Sequence, residues 1–324
     1  MGSTLNLGTL TTVNVSGNIT NNGTISGETS TIVFDGSTTL DGGGTTTVKG
    51  SFHNITIAAS GTFTPACAIC VPVNSSQINV SGNFTVLSGG TFAEGQGVVR
   101  LTGSTPQSLT MDGENFYDLE VFSSNATVTL SEALIVSRNL TISGPATLDV
   151  GPGNEDVFVG GNMTINGTFV PNFGRVTFNG TAGQSIGRTT GSSTITFYNL
   201  RTNKPASTAF TVTTAISIMR GISFVQSGGG YSVDFGGTVA SPLVTLLADE
   251  PNGRTGHILS IPDGVTISGN VRVQRYMEPA PSGGQIYRYL ASPINGNPVS
   301  QLQDDFPVAG SFTGASTCQT FIAN

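Results

Sequence analysis

Apolar and polar residues alternate over short stretches of this chain, as in Val13-Asn14-Val15 and Ile78-Asn79-Val80. A period of two sends the apolar side chains of a strand to one face and the polar side chains to the other. Clusters of Gly, Asn, Ser and Thr separate these stretches, and such residues favour tight turns. No stretch has the three- and four-residue apolar spacing of an amphipathic helix. The pattern predicts an all-β protein with many short strands.

Three sequence boxes recur in the same order along the chain. The first is Val13-Asn14-Val15-Ser16-Gly17-Asn18-Ile19-Thr20, with copies that start at Ile78, Ile135, Val157 and Ile267. The second is Ile32-Val33-Phe34-Asp35-Gly36, with copies at Val99 and Val176, and the third is Phe52-His53-Asn54-Ile55-Thr56-Ile57, with copies at Phe116 and Phe197. From the first to the second copy, all three boxes move along the chain by nearly the same interval, about 65 residues. Order and spacing together indicate a large repeated unit.

Repeated short strands predict a solenoid, because a single strand cannot cover its own apolar face. We expect a parallel β-helix (β-solenoid), right-handed, over residues 1–278. The neighbouring copies of the first box at Asn139 and Asn162 indicate that one coil takes roughly 17–25 residues. A large unit would then form about three coils.

The Gly-Asn or Ser-Gly-Asn at the end of the first box suits a corner, because Gly and Asn accept left-handed backbone conformations. Asn18, Asn83, Asn139 and Asn162 occupy this position. They are expected either to stack as an amide ladder inside the corner or to serve as water-exposed turn formers.

The sequence changes character after Tyr276, where Pro279, Pro281, Gly283 and Gly284 indicate a linker. Residues 285–290 then have a strand-like pattern. Residues 279–324 are therefore predicted to be the truncated start of a further β domain.

Cys67 and Cys70 form a lone CxxC motif. A zinc site needs four ligands, and a thioredoxin-like motif needs a helix N-terminus, neither of which the pattern provides. A local disulfide clip between Cys67 and Cys70 is favoured, which leaves the partner of Cys318 open.

The charge content is low, with 10% of the residues charged, a net charge of −7 and only two lysines, Lys49 and Lys204. Nucleic-acid binding needs clustered Lys or Arg and is not expected. No apolar run is long enough to cross a membrane. The start, Met1-Gly2-Ser3, has neither the basic nor the apolar part of a signal peptide, which favours an expression scar or an excised fragment.

The ordered boxes, the stretch Val271-Arg272-Val273-Gln274-Arg275-Tyr276 and the later Tyr287-Arg288-Tyr289-Leu290-Ala291-Ser292-Pro293 resemble large surface proteins exported by the bacterial type IX secretion system. The resemblance spans nearly the whole chain, although its motifs are diffuse. It implies an exported, surface-attached or released cargo protein, and it supplies no catalytic residues.

The residues that could support catalysis or ligand binding lie mostly in turn contexts. Parallel β-helices also host polysaccharide lyases and hydrolases, but the acidic residues here are scattered and most lie in turns. His53 is expected on a strand surface, since Tyr117 and Tyr198 hold its place in the sister units. The segment 151–156 faintly resembles a calcium-binding turn. Thr-X-Thr ladders of the ice-binding kind, as at Thr211 and Thr213, do not recur in register with the boxes.

The sequence therefore predicts an extracellular structural or adhesive repeat protein without catalysis or cofactor. The alternative is a carbohydrate-active β-helix enzyme. Surface glycans, the secretion machinery and self-association through the solenoid ends are the expected partners. A smooth Thr, Ser and Asn face would favour the adhesive role, and clustered carboxylates with a basic residue would favour the enzyme.

Overall fold

The computed structural model describes residues 4–41, 48–66, 76–122, 124–249 and 254–274, and within these ranges it contains strands and no helix. The first twelve strands are β1 (Thr4–Asn6), β2 (Thr12–Val15), β3 (Ile19–Thr20), β4 (Thr24–Ser26), β5 (Thr31–Phe34), β6 (Ser37–Asp41), β7 (Val48–Phe52), β8 (Asn54–Ile57), β9 (Thr62–Pro65), β10 (Gln77–Val80), β11 (Phe84–Val86) and β12 (Thr91–Phe92). The next twelve are β13 (Val98–Leu101), β14 (Gln107–Thr110), β15 (Asn115–Phe116), β16 (Asp118–Val121), β17 (Thr127–Leu130), β18 (Leu134–Val136), β19 (Leu140–Ile142), β20 (Thr147–Asp149), β21 (Val157–Val159), β22 (Met163–Ile165), β23 (Thr168–Val170) and β24 (Arg175–Phe178). The last eleven are β25 (Gln184–Gly187), β26 (Ile195–Pro205), β27 (Ala209–Val212), β28 (Ile216–Ser227), β29 (Ser232–Asp234), β30 (Val244–Leu246), β31 (Ala248–Asp249), β32 (Arg254–Thr255), β33 (His257–Ile258), β34 (Thr266–Ser268) and β35 (Val271–Val273).

These strands form a parallel β-solenoid of about 11 turns, as the repeats predicted. In the first eight coils the three strands of a coil belong to three different sheets. The first sheet has 12 strands from β1 to β34, and the second has 8 strands from β2 to β23. The third strand of each coil joins a third sheet, β3 to β12, and then a fourth sheet of 9 strands from β15 to β35. One antiparallel pair, β31 with β32, interrupts the late coils.

The coils vary in length beyond the expected range of roughly 17–25 residues. Val157 pairs with Val176 across a coil of about 19 residues, and Phe52 pairs with Val80 across a coil of about 28 residues. About 34 residues separate Val233 from its partner Ile267, because the coil between them contains the β31–β32 hairpin. Corners and loops absorb these differences, so the ladder along the stack stays parallel.

The core consists of inward side chains that repeat from coil to coil. In the first sheet, in-register positions form an apolar column, and its buried members include Val99, Leu119, Leu140 and Met163. Buried phenylalanines fill the early coils, where the rings of Phe34 and Phe63 stack with centroids 3.9 Å apart. Each inward residue is thus covered by its equivalents above and below, which a single coil cannot do alone.

The repeated boxes recur after roughly three to four coils, close to the expected three, but they do not stack on one face because the interval is not a whole number of coils. The copy at Ile32 lies in β5 of the second sheet, the copy at Val99 in β13 of the first sheet, and the copy at Val176 in β24 of the fourth sheet. The copies are therefore eight and then eleven strands apart. Because a coil has three strands here, both intervals are one strand short of a whole number of coils. Each copy therefore lies on the neighbouring face of the solenoid, one strand position earlier in the coil than the previous copy.

The four asparagines stand directly before a strand and support the next coil. Their Oδ1 atoms accept backbone N–H groups at the same corner one coil further on, from Thr39 (2.9 Å), Ser108 (2.8 Å), Asn162 (3.0 Å) and Ser185 (2.8 Å) for Asn18, Asn83, Asn139 and Asn162 in turn. All four side chains are exposed or half-buried. The arrangement is a side-chain-to-backbone ladder on the outside of the corner, and among the four only Asn139 and Asn162 are neighbours.

Two buried glutamines brace corners in a way that the sequence pattern did not predict. Gln107 accepts the N–H of Gly103 (3.0 Å) and donates to the carbonyl of Val80 (3.1 Å). Gln184 repeats the arrangement, accepting the N–H of Gly180 at 2.9 Å and donating to the carbonyl oxygens of Val159 and Gly161 at 2.8 and 2.6 Å. The sequence feature that marks both glutamines is a Gly-x-x-x-Gln spacing, in which the Gly is the last residue of a copy of the second box.

Lys204 extends the Gln184 corner into the next coil. Its side chain is fully buried, and Nζ donates to the carbonyl oxygens of Gly180 (2.7 Å) and Ala182 (2.6 Å) and to Oε1 of Gln184 (2.7 Å). These three acceptors match the three donors of an ammonium group. Burial lowers the pKa of Lys204 to about 8, because desolvation disfavours the charged form.

The described residues all belong to the first of two compact units, Met1–Tyr276 and Met277–Asn324. Cys67, Cys70 and Cys318 lie outside the described residues, and so does the segment 279–324 that was expected to begin a further β domain. Those expectations stay predictions.

Candidate binding surface

The outer face of the second sheet is a regular array of hydroxyl and amide side chains. Each strand of this sheet, which comprises β2, β5, β8, β11, β14, β17, β20 and β23, places one or two polar residues outward. They are Thr12, Asn14, Thr31, Asn54, Thr56, Thr85, Ser108, Thr110, Thr127, Thr129, Thr147, Asp149 and Thr168. Only Asp149 is ionisable, and the remaining outward residues are Val33 and Val170. We call this array the hydroxyl face.

Register aligns the hydroxyl groups into rows along the stack. Thr56, Thr85 and Thr110 are paired in successive coils, and Thr127, Thr147 and Thr168 form a second row. Neighbouring strands lie about 4.8 Å apart, and alternate residues of one strand about 6.6 Å apart. Single threonines therefore recur in register on this face, whereas the Thr-X-Thr motif occurs there only in β17, where Thr129 pairs with Ser108 and Asp149.

A hydroxyl group both donates and accepts hydrogen bonds. The hydroxyl face therefore offers a two-dimensional grid of neutral hydrogen-bonding groups. Such a surface can contact a ligand whose own hydroxyls repeat, without attracting ions.

The outer face of the first sheet differs, because it carries ion pairs. Arg100 donates to Glu120 through Nε (2.8 Å) and Nη2 (3.2 Å), and its guanidinium lies 3.7 Å from the ring centroid of Phe122. Arg138 Nε lies 3.6 Å from Asp118 Oδ1. Burial raises the pKa of Asp118 above its ordinary value, although the N–H of Asn139 and the charge of Arg138 oppose that change.

Several carboxylates at the corner that follows the second sheet accept hydrogen bonds from backbone N–H groups. Asp112 accepts the N–H of Gly89 (3.0 Å), and Glu114 accepts the N–H of Phe92 (3.3 Å). Glu132 Oε1 accepts the N–H groups of both Met111 and Asp112. These side chains therefore act as turn caps.

Neither a metal centre nor a histidine cluster is formed by the described part of the chain. In these ranges no group of three or more His, Cys, Asp or Glu side chains is placed to hold a metal ion. In the calcium-like segment 151–156, Asp156 forms an ion pair with Arg175, and the N–H of Gly151 donates to Oδ1 of the preceding Asp149 (2.8 Å), as in a turn. His53 is half-buried, and its Nδ1 lies 3.1 Å from Ser81 Oγ. Nδ1 of the exposed His257 lies 3.1 Å from the carbonyl oxygen of Thr255.

Comparison of the chain with protein-family models, with curated proteins and with solved structures finds no match. The described ranges also contain no helix long and apolar enough to cross a lipid bilayer.

Proposed function

We propose that this protein is an extracellular structural and adhesive element without catalysis of its own, and that it contacts surface glycans through the hydroxyl face. The observation that carries the proposal is the in-register grid of Thr, Ser and Asn side chains on the second sheet, in which Asp149 is the one ionisable residue. Export by the type IX secretion system and a place at a bacterial surface are part of the same proposal. They rest on the resemblance of the boxes and of the stretch 271–276.

A parallel solenoid suits this role because its surface is fixed by the backbone ladder. Twelve strands of the first sheet at about 4.8 Å each extend over roughly 50 Å. Rows of side chains held at such spacing bind weakly one by one, but many contacts add when the partner also repeats.

The carbohydrate-active enzyme has less support. A glycosidase needs two carboxylates free to act on a sugar from opposite sides. Asp112, Glu114 and Glu132 accept backbone N–H groups instead. Because these acidic side chains serve to hold turns, they support the proposal of a structural and adhesive protein over that of an enzyme.

The proposal is tested by screening the purified chain for binding to, and degradation of, a panel of immobilised polysaccharides. We expect binding without release of soluble sugar. A double variant, Thr85→Lys with Thr110→Lys, places two charges on the hydroxyl face and is expected to abolish binding. The matched control, Thr141→Lys with Thr164→Lys, alters in-register outward threonines of the first sheet and is expected to bind normally.

Two results would overturn the proposal. Turnover of any polysaccharide would establish catalysis, and adsorption to ice with no glycan bound would give the hydroxyl face another partner. Self-association through the solenoid ends stays a further proposal. It predicts concentration-dependent assembly in sedimentation velocity.

A further inference from the structure

A partly exposed aromatic pair lies at the corner that leads out of the second sheet. Phe173 is 50% exposed in the turn between β23 and β24, although phenylalanine is usually buried. Its ring packs edge-on against Tyr198 of the next coil, with centroids 5.1 Å apart and planes at 65°. The two rings form an angled surface beside the end of the hydroxyl face.

The turn that carries Phe173 is held rigidly. Gly174 donates to the carbonyl of Pro171 (2.9 Å), and the N–H of Phe173 donates to Asn154 Oδ1 (3.0 Å). Asn172 has a positive φ of 39° and donates through Nδ2 to Asp149 Oδ1 (2.7 Å) and to the carbonyl of Gly151 (3.0 Å). The backbone that carries the exposed ring is therefore held in place by hydrogen bonds, which reduces the entropy lost on binding.

Tyr198 is placed by an irregularity of β26. The register between β26 and β28 shifts between Phe197 and Asn199, so Tyr198 and Asn199 are both half-buried instead of alternating. Such irregularities often re-aim a side chain. Asn199 is also the register partner of Arg175, which brings the Tyr198 region next to the coil of Phe173.

Polar groups flank the two rings. Arg175, two residues after Phe173, forms an ion pair with Asp156, and their side chains are 38% and 30% exposed. Asp149 and Glu155 are on the same corner and are half-buried. Carboxylates therefore outnumber Arg175 here, which disfavours an anionic ligand.

We propose that Phe173, Tyr198, Asp156 and Arg175, the aromatic corner, form a subsite for a neutral hexopyranose unit of a polysaccharide. The apolar face of the sugar ring would lie on Phe173 and Tyr198, and its hydroxyls would hydrogen-bond the Asp156–Arg175 pair. A few fixed polar groups beside aromatic side chains are the usual make-up of such a site. The inference rests on the proposed glycan contact and names the class of sugar and its position.

The test measures affinity for soluble neutral polysaccharides (a mixed-linkage β-glucan, a xyloglucan and a galactomannan) and for acidic ones (alginate and polygalacturonate). Isothermal titration calorimetry on the full chain supplies the dissociation constants. We expect the chain to bind at least one neutral polymer more tightly than either acidic polymer. Phe173→Ala and Tyr198→Ala are each expected to weaken binding by at least about tenfold.

Phe122→Ala is the matched control, because Phe122 is also exposed, at 45%, but lies beside the first sheet against Arg100. It should bind like the unaltered chain. Phe173→Tyr keeps a ring at the turn and should retain binding. Thermal melts of all four variants should be unchanged within a few degrees.

Unchanged affinity of Phe173→Ala and Tyr198→Ala would overturn the aromatic corner and leave the hydroxyl face as the contact. An equal loss in Phe122→Ala, or tighter binding of alginate than of every neutral polymer, would also overturn it. If the unaltered chain binds no polysaccharide at all, both the subsite and the proposed function fail.

Discussion

Replacing Lys204 by Met tests how the solenoid tolerates a fully buried amine. The folded pKa of about 8 lies below the ordinary 10.5, and a pKa difference of one corresponds to about 1.4 kcal/mol. Holding Lys204 protonated in the folded state therefore costs about 3 kcal/mol below pH 8. Its three oxygen acceptors favour the ammonium form, so this cost is an upper value.

The sign of the pH dependence follows from the lowered pKa. Between pH 8 and 10.5 the unfolded chain binds the proton and the folded chain does not, so the stability of the folded state rises with pH. From pH 7.5 to 9.5 the unaltered chain should gain about 2 kcal/mol relative to Lys204→Met. The comparison cancels other groups, including Tyr231, whose pKa burial raises.

Urea unfolding followed by far-UV circular dichroism at pH 7.5 and 9.5 measures the difference. The free energy of unfolding of Lys204→Met at a single pH does not test the reasoning. Loss of the three hydrogen bonds lowers that free energy, whereas removal of the buried charge raises it. A difference between the two proteins that stays flat with pH, or that falls as pH rises, would refute the reasoning.

Three further predictions concern the corners and the core. Gln184→Leu should lower the free energy of unfolding by about 3 kcal/mol, because it leaves buried backbone groups without partners; urea unfolding measures it, and a loss below about 1 kcal/mol would contradict the bracing role. Asn162→Ala should speed amide hydrogen exchange at Ser185, because it removes the oxygen that accepts the Ser185 N–H. Asn162→Asp keeps an acceptor oxygen and should leave the exchange rate unchanged. Equal exchange rates at Ser185 in both variants would exclude the corner ladder. Phe63→Ala should cost about 4 kcal/mol by opening a cavity beside Phe34, and a shift of the urea midpoint as small as that of an exposed Phe122→Ala would argue against a tightly packed core.

The sequence was enough to predict the parallel solenoid, because alternation and recurrence are properties of the backbone pattern itself. Position around the stack was not predictable, since Ile32, Val99 and Val176 have nearly the same surroundings in sequence and lie on three different sheets. The hydroxyl face was not predictable for the same reason, because Thr56 and Thr85 can be recognised as neighbours only when the coil length between them is known.

The buried polar groups were harder still. Lys204 looks like any isolated lysine in a polar stretch, and its burial depends on the corner built by Gln184 in the preceding coil. The Gly-x-x-x-Gln spacing could have suggested the glutamines. Nothing near Phe173 in the sequence indicated a ring packed against Tyr198, because that contact depends on a register irregularity in another strand.

The backward step of the repeated boxes has an evolutionary consequence. Eight or eleven strands are not a whole number of three-strand coils, so a duplication of such a unit would turn everything downstream by a third of a revolution. An inserted module of one strand with its corner would have the same effect on the faces. Insertion of one such module could change which side chains point toward a given partner while leaving the interior filled.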